Sequence, residues 1–159
     1  MARPSSSARR YAEAAYAVAA EAGAFAEWRH DLDRAATALA DHDLALALGN
    51  PAIPHAARER LLGETVGRGL AEKPLNLLRL MLQRGRLELL PQVAAEFGAL
   101  DDRRQGLSRA VATSAEPLGP AEIQALTERL ERLSGGRAAL TTQTDPSLLG
   151  GVIVRIGRR

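Results

Sequence analysis

The sequence lacks cysteine, is poor in aromatic residues and contains no long hydrophobic run. The absence of cysteine excludes disulfides, thiol catalysis and cysteine-based zinc sites. Aromatic residues make up 3% of the chain, whereas proteins that bind single-stranded nucleic acids commonly stack bases on aromatic rings. No apolar segment approaches the roughly 20 residues of a membrane span, and the N-terminal MARPSSSARRY leads into no secretory signal. We therefore expect a soluble globular protein exposed to the cytoplasm.

The charge is unevenly distributed along the chain. The formal net charge is only +2, yet the sequence pI is about 9.6, and residues 73–159 carry 13 basic against 9 acidic side chains. A basic half is compatible with an acidic partner or with nucleic acid, but an arginine-rich solvated surface gives the same count. We favour the solvated surface and keep a basic helical nucleic-acid-binding adaptor as the alternative.

The spacing of apolar residues predicts six helices within residues 1–105. The first, SARRYAEAAYAVAAEAG, has Ser7 as its candidate N-cap and Gly23 as its stop signal. Pro54 and Pro74 suit the first turns of the fourth and fifth helices. The first helix and the fifth, KPLNLLRLMLQR, are apolar over more of their circumference than one core face can use. Such a helix is either buried or packs on its own core with one face and on a partner with another.

The pattern changes after about residue 105. LSRAVATSA is typical of a strand, PLGPAEIQALTERLERLSGG of a helix that Gly135 ends, and RAALTTQT and GVIVRI of two further strands. The predicted fold is mainly α: an N-terminal six-helix bundle over residues 1–105, followed by a small C-terminal α/β domain over residues 106–159 in the order β-α-β-β. The apolar face of so small a domain is limited.

The chain shows no machinery for catalysis. Its three histidines are widely spaced and fall on different predicted elements: His30, His42 and His55. The motif DHD at 41–43 fits an acidic helix start better than a metal site. Gly150-Gly151 lacks the lysine and hydroxyl residue of a nucleotide-binding loop and predicts a turn or bulge before a strand. An enzyme would need an acid, base or nucleophile there, and Asp145 alone is poor support. We predict no catalytic, cofactor-binding or metal-binding residue.

Three segments resemble one protein family. LTTQTDPSLLGGVIVRIG looks like the signature of the delta subunit of the bacterial F-type ATP synthase, the counterpart of the mitochondrial oligomycin-sensitivity-conferring protein. ARRYAEAAYAVAAE and NLLRLMLQRGRLELLPQVAAEF are similar to two further family segments. The signature positions are Leu140, Asp145, Leu148, Gly150, Gly151, Val152, Val154 and Arg155. Together the three segments span nearly the whole chain in the family's order.

The resemblance implies a structural role. Family members are non-catalytic stator subunits that tie the catalytic head to the peripheral stalk, so that the head does not turn with the rotor. The implied partners are alpha subunits of the head for the N-terminal bundle and peripheral-stalk b subunits for the C-terminal domain. No cofactor, nucleic acid or direct membrane insertion is implied. The implied location is peripheral, on the cytoplasmic face of the bacterial plasma membrane, as part of the complex.

The resemblance also implies a binding groove. In the family, the N-terminal helix of an alpha subunit lies between helices one and five, which are the two helices with excess apolar surface here. The residues expected to line this groove are Tyr11, Ala14, Ala15 and Val18 on the first helix, and Leu75, Leu78 and Leu82 on the fifth.

The C-terminus departs from the family pattern. Family members continue past the glycine-pair strand with an aspartate, a further strand and a basic helix. Here RIG is followed only by Arg158 and Arg159. We therefore expect a truncated domain without the closing strand and helix, which form part of the surface facing the stalk.

Overall fold

The computed structural model of the chain describes residues 5–148 and 150–156. The chain divides into two compact units, Met1–Asp101 and Asp102–Arg159. It is mainly helical with a small three-stranded sheet near the C-terminus, as predicted at this coarse level. No helix within the described ranges is long and apolar enough to cross a membrane. Arg158 and Arg159, at which the expected truncation was placed, lie outside the described residues.

Six α-helices precede the first strand in the described part of the chain. Their bounds are Ser6–Ala22 (α1), Phe25–Ala38 (α2), His42–Gly49 (α3), His55–Glu64 (α4), Glu72–Gln83 (α5) and Leu90–Arg104 (α6). A short 3-10 helix at Leu87–Leu89 leads into α6. Gly23, with φ of 64°, ends α1 as predicted. The predicted acidic start of α3 is also confirmed, because the Asp41 carboxylate accepts the N–H groups of Asp43 and Leu44 at 3.0 and 3.1 Å.

The N-terminus of α1 corrects one detail of the sequence analysis. The hydroxyl of Ser5, not that of Ser7, caps the helix by accepting the Ala8 N–H at 3.1 Å. Ser7 lies in the first turn, and its hydroxyl accepts a hydrogen bond from the Arg86 guanidinium, 3.4 Å away. Three successive serines offer equivalent caps, so the residue pattern alone does not choose among them.

The core of the first unit combines small and large side chains. The buried face of α1 consists of four alanines, namely Ala8, Ala12, Ala15 and Ala19. The larger core side chains come from the other helices and include Trp28, Leu32, Leu48, Leu62, Leu78, Met81, Leu90 and Phe97. The Phe97 ring lies 5.8 Å from that of Tyr16 and 6.2 Å from that of Trp28. This aromatic cluster joins α1, α2 and α6.

The second unit is a three-stranded sheet with one helix. Its elements are β1 (Leu107–Ser114), α7 (Pro120–Ser134), β2 (Arg137–Thr144) and β3 (Val152–Ile156). β1 lies in the centre, parallel to β2 and antiparallel to β3. α7 packs against β2. Side chains alternate between the two faces of a sheet, and in β1 the buried ones are Ala110, Ala112 and Ser114. Even-numbered residues of the strands therefore form the face on which α7 packs, although Val152 and Ile156 of β3 stay 40% and 48% exposed on it.

Gly67, between α4 and α5, is a position where a methyl group lacks room. A Cβ on Gly67 would lie 2.5 Å from Leu75 Cδ1 and 3.0 Å from the Leu62 carbonyl oxygen. Gly67→Ala should lower the free energy of unfolding by about 1–2 kcal/mol, because neighbouring atoms must move. Urea unfolding followed by the fluorescence of Trp28 measures the change.

Gly63→Ala is the matched control for this prediction. Gly63 lies inside α4, and an added Cβ would meet no atom within 4 Å. Because alanine favours helix over glycine, Gly63→Ala should be neutral or stabilising by up to about 1 kcal/mol. Equal effects of the two substitutions would contradict the close packing at Gly67.

Candidate functional site

Helix α1 has a different flank on each side of its buried alanines. On one flank, the ring of Tyr16 lies 5.1 Å from that of Phe25 on α2. The opposite flank carries residues at the spacing i, i+4, i+7 and i+11, which share one side of a helix: Ser7, Tyr11, Ala14 and Val18. Ala14 is exposed, and Tyr11 and Val18 are half-buried. Because Ser7 is hydrogen-bonded to Arg86, just past α5, this accessible flank is turned toward the C-terminal end of α5.

Helix α5 likewise has a core face and two flanks. Its buried residues are Pro74, Leu78, Met81 and Leu82. One flank is turned toward α4, since Leu75 lies against the loop that follows α4 and Arg79 Nε is 3.5 Å from Glu59 Oε1. The flank away from α4 carries Leu77, which is half-buried, and Leu80, which is 42% exposed. Leu77 and Leu80 are therefore the apolar residues that α5 offers on that side.

Helix α2 positions both of these helices. It packs against α1 and α5, and two of its side chains hold the loop that precedes α5. The Asp31 carboxylate accepts the Ala71 N–H at 2.8 Å, while the Arg34 guanidinium donates to the carbonyl oxygens of Arg68 and Gly69 at 3.0 and 3.3 Å. Ala71 is the N-cap residue of α5 and has no capping side chain. Asp31, which is 4% exposed, supplies the acceptor and the negative charge that a helix N-terminus favours.

The structure separates the predicted groove residues into buried and accessible ones. Ala15, Leu78 and Leu82 have at most 2% exposure, so a helix on the surface would not reach their side chains. Leu75 is half-buried on the side of α4. The accessible flank of α1 brings together the remaining three, which are Tyr11, Ala14 and Val18.

Sequence reasoning did not single out Leu77 and Leu80 among the leucines of α5. Leucine lies beside a polar stripe on both flanks of α5, so the spacing of apolar residues alone does not distinguish the two flanks. The contact that distinguishes the flanks is the ion pair of Arg79 with Glu59, which joins two different helices.

The signature segment forms the turn between β2 and β3. Asp145 Oδ1 accepts the Ser147 hydroxyl at 2.6 Å and the Ser147 N–H at 3.0 Å. The Leu148 N–H donates to the Asp145 carbonyl at 3.1 Å, and the Asp145 N–H donates to the Ser114 carbonyl at 2.9 Å. The hydrogen bonds from the Ser147 side chain and backbone hold the pKa of Asp145 below its ordinary value of 3.8.

The remaining signature residues build β2 and β3 and the bend between them. Gly150 and Gly151 have φ of 141° and 84°, which residues with a side chain rarely adopt. Leu140, Val152 and Val154 belong to the even-numbered face of the sheet, and Arg155 is exposed on the opposite face. Among the described residues, no group of three or more His, Cys, Asp or Glu side chains is placed to hold a metal ion.

Comparison with known proteins identifies the family. The sequence pattern of the ATP synthase delta (OSCP) subunit matches residues 8–159. The chain belongs to this family. Similar proteins named ATP synthase subunit delta include that of Methylobacillus flagellatus, which is 35% identical over 150 residues covering 94% of this chain and 84% of the relative. That of Citrifermentans bemidjiense is 35% identical over 153 residues, with the same coverage. That of Paracidovorax citrulli is 38% identical over 162 residues, covering 99% and 88%.

Membership of the delta family makes the chain a non-catalytic stator subunit of the F-type ATP synthase, within a membrane-associated complex. The family and the role predicted from the sequence are therefore confirmed, and the nucleic-acid-binding alternative is not supported. The functional sites of such a subunit are surfaces that bind other proteins.

Asp31 should stabilise the delta subunit through its contact with α5. Asp31→Ala should lower the free energy of unfolding by about 1–3 kcal/mol, because the Ala71 N–H loses its acceptor. Asp31→Asn keeps an oxygen acceptor and should lose less than half as much. Asp33→Ala, at an exposed position of α2, is the matched control and should change stability by less than about 0.5 kcal/mol. An equal loss in urea unfolding for Asp33→Ala would contradict the capping role of Asp31.

The pKa of Asp145 should respond to Ser147. Because the folded-state pKa of Asp145 is lowered, its hydrogen bonds stabilise the turn at neutral pH, and this contribution is lost as the pH falls below 3.8 through the lowered pKa. Ser147→Ala removes the hydroxyl donor and should raise the pKa of Asp145 toward 3.8. Carboxyl carbon NMR titration measures both values, and an unchanged pKa would contradict the assigned cause.

Proposed function

We propose that this delta-family subunit links the N-terminal helix of an alpha subunit in the catalytic head to the b subunits of the peripheral stalk. In this proposal the first unit acts as a six-helix bundle that binds the head. The second unit acts as a small α/β domain in the order β-α-β-β and faces the stalk. The subunit works at the cytoplasmic face of the bacterial plasma membrane without inserting into it, and it needs no cofactor.

The proposed groove lies between the accessible flanks of α1 and α5. Its two walls consist of Tyr11, Ala14 and Val18 on α1, and Leu77 and Leu80 on α5. The observation that carries the proposal is the hydrogen bond between Ser7 and Arg86, because it turns this flank of α1 toward the end of α5. The packing of both helices on α2 supports the same arrangement.

The buried members of the predicted set support the groove from below. Ala15 belongs to the buried alanine face of α1, and Leu78 and Leu82 belong to the buried face of α5. In this role they hold the two walls in position without touching the guest helix. Leu75 supports α5 from the side of α4 through its contact with Gly67.

The chemistry of the walls suits an amphipathic helix. The small side chain of Ala14 lets a guest backbone approach closely, and leucines provide area that the guest can bury, as in other helix-in-groove complexes. Each Å² of apolar surface removed from water contributes roughly 25 cal/mol. Leu80 is 42% exposed and therefore has apolar surface that a guest helix can bury.

Titration with a synthetic alpha-subunit N-terminal peptide from a related bacterium tests the groove. Calorimetry on the full chain should detect one-to-one binding. Leu80→Asp should weaken that binding at least tenfold, by about 1.4 kcal/mol, because it puts a charge on an apolar wall. Leu46→Asp on α3 is the matched control, since Leu46 is 58% exposed and lies on another helix; its effect should stay below about twofold.

The fluorescence of Trp28 serves as the folding check, because this side chain is 3% exposed and is out of reach of a guest helix. Equal affinity of the folded Leu80→Asp variant would place the site elsewhere on the subunit. Absence of binding by the unsubstituted chain would remove the proposed head contact altogether.

A further inference from the structure

The sheet of the second unit has a basic face. The three strands together contain three arginines and no acidic residue. All three arginines are odd-numbered in strands of matching register, so they lie on the face opposite α7. We refer to Arg109, Arg137 and Arg155 as the arginine face.

The strand register arranges these arginines along a diagonal. Arg137 of β2 is paired with Leu107 of β1, and Arg155 of β3 is paired with Val111 of β1. Arg109 lies two residues from each of these β1 positions. Diagonal neighbours of an antiparallel pair are about 7–8 Å apart, which applies to Arg109 and Arg155. Arg137 continues the diagonal on the parallel strand β2, so the arginine face crosses all three strands.

The side chains at the two ends of the diagonal have no polar partner in the described part of the fold. Arg137 and Arg155 are exposed, and neither guanidinium has a hydrogen bond or ion pair with any residue that the structure describes. The central guanidinium is oriented by Asp102, because Arg109 Nε and Nη2 both donate to that carboxylate. The side chain of Arg109 is nevertheless 60% exposed, whereas that of Asp102 is 7% exposed.

The surroundings of the arginines are open and partly apolar. Thr141 and Gln143 of β2 are exposed on this face, and Ile153 of β3 is 46% exposed. On the central strand Val111 is only half-buried, whereas Ala112, on the face that α7 covers, is fully buried. The odd-numbered face therefore has both charge and apolar surface available to a partner.

We propose that the arginine face binds an acidic segment of a protein partner. Carboxylates of that segment pair with the guanidinium groups, whose planar forks suit them, and its apolar side chains pack on Val111 and Ile153. The inference rests on the proposed function, in which the second unit contacts the stalk, and it therefore assigns the acidic segment to the stalk b subunits.

The composition of the second unit favours a protein over a nucleic acid. Residues 102–159 contain no tryptophan, tyrosine or phenylalanine, so this unit offers no ring on which bases could stack. Valine and isoleucine beside the arginines instead match the mixed apolar and charged surface of an amphipathic polypeptide.

Charge reversal on the two faces of the second unit tests the inference. The probe is the soluble part of the stalk b subunits of a related bacterium, titrated into the full chain by calorimetry at low and high salt. The double variant Arg137→Glu/Arg155→Glu should weaken binding at least tenfold at low salt. Arg129→Glu/Arg132→Glu, which makes the same charge change at exposed positions of α7, is the matched control and should stay within about twofold of the unsubstituted chain.

A second variant guards against effects on folding. Arg137→Gln/Arg155→Gln removes the charges without introducing repulsion and should weaken binding in the same direction, with an unchanged unfolding midpoint. Full affinity of both face variants would overturn the arginine face while leaving the stalk contact in place. Absence of binding by the unsubstituted chain would overturn the stalk contact itself, independently of the alpha-peptide titration. Tighter binding of a single-stranded oligonucleotide, lost in the Glu variant, would overturn the protein partner.

Discussion

The hydrogen bond from the Ala71 N–H to the Asp31 carboxylate ties the start of α5 to α2. The helix then runs from Glu72 to Gln83, with Leu78 in the core and Leu80 accessible. An isolated helix of 12 residues is marginal in water, so α5 depends on contacts of this kind. Asp31 belongs to α2, which also packs against α1, and one helix therefore positions both walls of the proposed groove.

In the second unit, some signature residues stabilise the fold and others make no contact that the fold needs. Asp145 holds the turn through Ser147, and the glycine pair supplies backbone conformations that other residues rarely adopt. Even-numbered strand residues form the face on which α7 packs. Arg155 has neither role, although it belongs to the same signature. A signature residue without a partner among the described residues is a candidate for binding, and the other two arginines on the same face strengthen that interpretation.

The spacing of apolar residues and the glycines that end helices made most of the helices predictable. Gly23 and Gly135 end helices in the left-handed conformation that glycine allows, and these local signals are read directly from neighbouring residues. The contact of Asp31 with Ala71 joins positions forty residues apart, so no local pattern reports it. The same limit applies to α5. Its excess of leucine is visible in the sequence, but the flank that faces away from α4 is defined by the contacts of Leu75 and Arg79 on the opposite flank.

The two proposed contacts rest on different physical forces: the groove of the first unit is apolar, and the arginine face of the second unit is charged. An apolar groove loses little strength in salt, whereas exposed ion pairs are screened and are individually worth at most about 1 kcal/mol. The affinity of a charged contact therefore depends on how many ion pairs it forms and on how well their geometry is fixed. A sheet fixes the spacing of Arg137, Arg109 and Arg155 through its register, and guanidinium groups lose less freedom per hydrogen bond than the ammonium groups of lysine. Because all the basic residues of the strands are arginines, the arginine face presents charges at fixed positions rather than a diffuse positive charge.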